Sequence, residues 1–286
     1  MKKRTGNIVW AVYFGLAMIL QLTVPEAFHT DFFAFPVNAA MMLFAAVGLW
    51  VLYRERPEAA PAVLLASPHT TFVLLSVSAV TFLVLGLTSW LSPASWWFFF
   101  LLTAFSAHLF AVILRRVKRG GPHRLRFVLN HAGLLLALAG GFAGSADTSV
   151  WRVRLQKDEV SRQAFASDGS SMNLKRELEL TGFTVGYYPD GKAESYEASI
   201  RIDGEDAVLR VNEPCRLSFS EELYLVDYEH VPAGENVGYC ILEIVRQPWK
   251  YIQWAGIWMM IAGSVLLFFQ MGQQNGTAAD NRRAVK

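Results

Sequence analysis

Six histidines are the residues of this chain best suited to metal or proton chemistry, and one of them lies inside a long apolar run. Residues 127–147 read FVLNHAGLLLALAGGFAGSAD, with Asn130 and His131 in the first turns and small residues along the second half. An ionisable side chain in hydrocarbon is costly, so His131 is a functional candidate by default. An imidazole there can ligate a metal or haem, relay protons, or bond a neighbouring helix. Composition leaves the structural role and the ligand role open. Asn130 cannot face the same way, since adjacent helical residues point roughly 100° apart. Gly140 and Gly144 form a small-xxx-small pair suited to close helix approach.

His108 sits in the preceding apolar run, which must return antiparallel to the first. Counted from the ends of those runs, His131 is about 6 Å and His108 about 9 Å from the same edge. Ligation of a b-type haem by both histidines is therefore an alternative to ligation by His131 alone. His29 falls in a loop, and His69 and His123 fall at the basic edge. His230 follows a strand and reads as a surface residue. Trp96 and Trp97 read as interface anchors. Cys215 and Cys240 lack CxxC spacing and a nearby histidine pair, which argues against zinc; in an oxidising compartment they are candidates for a disulfide. The sequence has no P-loop, GxSxG or HExxH motif.

The elements that must position these residues are mostly membrane spans. The chain is 53% hydrophobic and only 17% charged, outside the range of ordinary soluble domains. Residues 7–24, 33–53, 70–91, 96–114, 127–145 and 252–269 each approach the roughly 20 residues a spanning helix needs. The first reads as a retained helix, because no A-x-A-like site ends it. Lys2, Lys3 and Arg4, then Arg54 and Arg56, then Arg115 to Arg126, then Arg282 to Lys286 mark alternate loops. Loops 26–31 and 92–95 contain no Lys or Arg. The positive-inside rule puts both termini in the cytoplasm and residues 147–250 outside, in a periplasm or its equivalent.

Residues 147–250 carry 12 Lys+Arg against 19 Asp+Glu, an acidic domain on a basic-edged membrane part with nothing to suggest nucleic-acid binding. VWRVRL, ELTGFTVGYY, YEASIRI, AVLRVN, LYLVDY and YCILEIVR read as strands. Asp168-Gly169, Asp190-Gly191 and Asp203-Gly204 supply turns. Six or seven strands suit an antiparallel sandwich or open barrel. The expected architecture is thus a six-helix transmembrane bundle with a β domain inserted before the last helix. Five helices occupy residues 1–146, the β domain 147–250, the last helix 251–270 and a disordered cytoplasmic tail 271–286. Trp249, Tyr251 and Trp254 stand where an aromatic belt belongs.

Three stretches resemble the ResB family (also called CcsB) of system II cytochrome c biogenesis. The first is NHAGLLLALAGGFAGSADTSVWRVRLQKDEV, a histidine-bearing helix leading into an outer domain. The second is LTGFTVGYYPDGKAESYEASIRI. The third is LRVNEPCRLSFSEELYLVDYE, continuing to YCILEIVRQPWKYIQWAGIWMMIAG. They cover residues 126–269, with Cys215 in place of an apolar residue, Gln247 where Asp is common, and a short outer domain. The resemblance implies an accessory subunit in the inner membrane of a bacterium, without independent activity. Its expected partners are a CcsA/ResC-type haem-handling membrane protein and apocytochrome c. Carried over by position, His131 is an axial ligand of haem b held transiently, with the partner supplying the opposite ligand. Two other classes stay open: a bis-histidine membrane cytochrome or quinol-reactive subunit using His108, and a sensor or structural protein without haem.

Overall fold

A computed structural model describes residues 3–24, 30–121, 123–190, 192–232 and 235–284. Its α-helices are α1 (Lys3–Thr23), α2 (Val37–Glu55), α3 (Ala60–Leu65), α4 (Pro68–Leu87), α5 (Trp96–Arg119), α6 (Arg124–Phe142) and α7 (Lys250–Ala284). Six of them contain stretches long and apolar enough to cross a membrane: 4–23, 37–55, 68–87, 96–119, 124–147 and 250–269. The protein is a multi-pass membrane protein with an antiparallel sheet inserted between α6 and α7.

Local chemistry sets the helix ends. Ser67 caps α4 by accepting from the Thr70 N–H at 3.2 Å, with Pro68 in the first turn where its missing N–H is harmless. Ser95 caps α5 by accepting from the Phe98 N–H at 3.2 Å. Gly120, at φ 66°, ends α5 after Arg116, Lys118 and Arg119, whose charges complement the carbonyl end of the helix. Helical backbone continues from the apolar part of α7 to Ala284.

Residues 147–248 form a compact unit of their own. It holds β1 (Ser149–Gln156), β2 (Val160–Phe165), β3 (Ser171–Tyr187), β4 (Ala193–Ile202), β5 (Glu205–Arg210), β6 (Cys215–Arg216), β7 (Glu221–Tyr228) and β8 (Tyr239–Arg246). They make one antiparallel sheet in the order β5-β4-β3-β2-β1-β8-β7-β6. The sheet curls until β5 meets β7, an open barrel around one core. Val153 and Leu155, Leu178 and Leu180, Ala198 and Ile200, and Leu223 and Leu225 point inward at alternate positions, all buried, as the two-residue strand period requires. First strand β1 pairs with last strand β8, Ser149 opposite Arg246, so the chain enters and leaves on neighbouring strands. Asp203-Gly204, at φ 50° and 89°, makes the tight β4–β5 turn. At Asp168-Gly169 the Asp168 carboxylate accepts from the Ser170 N–H at 2.8 Å. Gly191 of the third expected turn lies outside the described residues.

Eight strands replace the expected six or seven. β2 escapes a pattern search because VSRQAF buries a single residue, Ala164. β6 is two residues long.

Candidate functional site

α6 and α7 lie backbone to backbone, and glycines permit it. A Cβ on Gly133 would stand 2.6 Å from the Gly256 carbonyl oxygen, and one on Gly140 would stand 2.7 Å from the Gln253 nitrogen. Gly144 is covered by the Trp249 side chain. The small pair Gly140/Gly144 therefore serves helix packing, and its partner is α7. Further along, the Asn130 amide takes the space a Cβ on Gly263 would need, 2.5 Å away. Asn130 thus belongs to this seam, while His131, one residue on, is turned off it.

His131 is held by the residue one turn before it. Its Nδ1–H donates to the Phe127 carbonyl oxygen at 2.9 Å, which fixes the proton because a carbonyl only accepts. The Phe127 ring also stacks on the imidazole, centroids 3.9 Å apart and planes 16° from parallel. The Arg116 guanidinium of α5 lies 5.5 Å from the centre of the Phe127 ring. His131 is half-buried, and its Nε2 has no hydrogen-bond partner among the described residues. A tied Nδ1 and an available Nε2 lone pair are what an imidazole needs to ligate a metal.

His108 is built oppositely. It is 4% exposed, its Nδ1–H donates to the Leu65 carbonyl at 2.6 Å, and its Nε2 pairs with the Thr71 hydroxyl at 3.1 Å. Both ring nitrogens are engaged, so no position remains for iron. The depths differ too. His108 is eleven residues from the end of α5 and His131 seven from the start of α6, a difference of about 6 Å along the axes. The extra turns of both helices beyond the apolar runs account for the change from the sequence count.

The remaining expected residues disperse. His69 packs against Gly6 of α1, its Cδ2 3.2 Å from where a Cβ would be. His123 takes a left-handed conformation at the start of α6, φ 60°. His29 lies outside the described residues. The Trp97 indole N–H donates to Thr81 Oγ1 at 2.8 Å, and its ring meets Phe14. Tyr251 and Trp254 are edge-to-face at 5.8 Å, with Trp254 exposed. The cysteines are both free. Cys215 pairs with Leu223, which pairs with Ile244, four residues along β8 from Cys240. Two strand spacings and four residues separate them by about 16 Å, far beyond disulfide reach. Burial pushes the Cys240 thiol up to about 12, the value of an inert core residue.

Phe127 and Arg116 escaped the sequence search as members of this site. Phe127 was detectable in principle, being the i−4 neighbour of His131. Arg116 was one of six basic residues in its loop, with nothing in the sequence to single it out.

A family model described as ResB-like family matches residues 117–239, spanning α6 with His131 and most of the β unit. Among solved structures, one titled Cytochrome c Heme Lyase CcmF aligns over 80% of this chain at 13% identity with a TM-score of 0.37. The aligned part is 44% of that protein, less than half its length. Comparison with curated protein sequences gives no match. The matched segment thus contains both the histidine with an unpaired nitrogen and the strands from β1 to the start of β8.

Proposed function

We propose that this protein is an accessory subunit of cytochrome c maturation that holds haem b transiently as cargo on His131. The single observation that carries the reading is the His131 ring, whose Nδ1 is tied to Phe127 and whose Nε2 is available. The ResB-like segment supports the choice of haem as the group held. One protein ligand suffices there, because the macrocycle supplies four equatorial nitrogens. A CcsA/ResC-type membrane partner would supply the opposite ligand, and apocytochrome c would be the acceptor. Among the described residues no group of three His, Cys, Asp or Glu could hold a bare ion.

The chain's own residues divide the work. Phe127 orients the imidazole and shields one face. Arg116 places a cation beside that ring, suited to a haem carboxylate. The α6–α7 glycine seam fixes the rotation of α6, and so the direction in which His131 points. By the loop charges, the protein sits in the bacterial inner membrane with both termini cytoplasmic and residues 147–250 in the periplasm. His131 then lies in the inner half of the bilayer, on the side from which haem is supplied.

The test is genetic. A strain lacking this chain should lose its c-type cytochromes, counted by haem staining. The wild-type gene and His108→Ala should restore them, and His131→Ala should restore a tenth or less. Normal c-type cytochromes in the deletion strain would overturn the reading. The alternative of a bis-histidine cytochrome is disfavoured by the two engaged nitrogens of His108.

A further inference from the structure

A second histidine repeats the construction of His131. His230 follows β7, and its Nδ1–H donates to the Tyr228 carbonyl oxygen at 3.0 Å. The Tyr228 ring stacks on the imidazole with centroids 4.8 Å apart and planes 11° from parallel. As with Phe127 and His131, one residue supplies both the carbonyl that fixes the tautomer and the ring that covers a face. The Asp227 carboxylate lies 3.9 Å from the same Nδ1. Nε2 has no partner among the described residues, and the side chain is 76% exposed.

The stack continues inward. Phe183 of β3 lies 5.0 Å from Tyr228 at 29°, and Tyr196 of β4 lies 4.9 Å from it. Tyr228 pairs with Cys240, next to the Tyr239–Gln156 pair. The column therefore stands at the barrel end opposite the one where the chain enters at Ser149 and leaves at Arg246. Aromatic side chains from three strands thus hold the Tyr228 ring on which the exposed imidazole stacks.

We propose that His230 is a second axial ligand for haem iron, on the β unit. The inference rests on the proposed haem-handling function and adds a site to it. A bare transition-metal ion would need several protein ligands, and no such group exists among the described residues. An iron already held by a macrocycle needs one imidazole. The flat exposed rings of Tyr187 and Tyr188 on the same end of β3 suit a planar apolar ligand.

The test uses full-length protein in detergent, titrated with ferric haem and, separately, with a haem-bearing peptide cut from a c-type cytochrome. Soret absorbance reports imidazole ligation of either probe, and low-spin EPR reports it for the haem-bearing peptide, whose own histidine already ligates the iron. His131→Ala should still show the imidazole Soret shift, and adding His230→Ala should reduce it at least fivefold. A response to free haem assigns the site to cargo, and a response to the peptide alone assigns it to the product. His131→Ala and His131→Ala/His230→Ala indistinguishable with both probes would overturn this proposal while leaving the His131 reading standing. Loss of signal in His230→Ala but none in His131→Ala would sustain His230 and sink His131.

Discussion

Two histidines on neighbouring helices, α5 and α6, show how burial separates a structural imidazole from one that can bind. His108 is enclosed by α3, α4 and α5, with a backbone carbonyl on one nitrogen and a threonine hydroxyl on the other. A buried polar group so satisfied stabilises the fold and has nothing left to offer. His131 faces away from the α6–α7 seam, tied by one nitrogen and stacked on one face. The difference lies in what surrounds each ring. Small residues and an i−4 aromatic leave His131 half open, whereas α3 closes over His108.

The comparison can be broken at several points. The largest effect is expected at the seam that aims His131. Gly140→Leu forces a side chain against the Gln253 backbone and should cost several kcal/mol, more than ordinary overpacking at ~1–3 kcal/mol, because backbone cannot yield. Gly86→Ala, with open space around it, should be neutral. Yield of folded protein and thermal unfolding in detergent measure both. His108→Ala comes next, at about 2–4 kcal/mol, from a cavity and the loss of two buried hydrogen bonds. His131→Ala should cost under about 1 kcal/mol by the same assay, since it is half-buried and loses one bond. Equal destabilisation by the two would erase the contrast.

Phe127→Ala should weaken haem binding several-fold with little change in unfolding temperature, read by haem titration. Phe127→Leu, which keeps bulk without a π face, should fall between. The smallest effects concern the cysteines. Cys215 should react with maleimide in the folded protein at pH 8 while Cys240 does not. Raised in the folded state, the Cys240 thiol keeps its proton where the unfolded thiol loses it. The stability it contributes is therefore present below pH 9 and lost between about pH 9 and 12, at about 1.4 kcal/mol per pH unit. Cys240→Ala should flatten that alkaline decline in denaturant titrations.

Much of this was legible in the sequence, for identifiable reasons. Hydropathy and length mark six spans because lipid forces each to be helical and apolar. The spacing of Gly140 and Gly144 announced a close helix contact, though not that α7 would fill it, since spacing on one helix says nothing of its neighbour. His131 stood out by cost in hydrocarbon. The environment of His108 stayed hidden because its Leu65 partner sits on α3, six residues among Pro57, Pro61 and Pro68 that read as a loop. The separation of Cys215 from Cys240 needed the strand register, which depends on β6, too short for any periodic signal. His230 read as an ordinary surface residue because the stack that braces it joins β3, β4 and β7, distant in sequence.

The central claim is that His131, and not His108, carries haem in the membrane part. The measurement that tests it most directly is the haem content of protein purified in detergent with its membrane partner, by pyridine haemochrome absorbance. His131→Ala should lower haem per complex at least tenfold, and His108→Ala should retain most of it wherever the complex remains folded. Loss of haem in His108→Ala with retention in His131→Ala, at matched folded yield, would contradict the account.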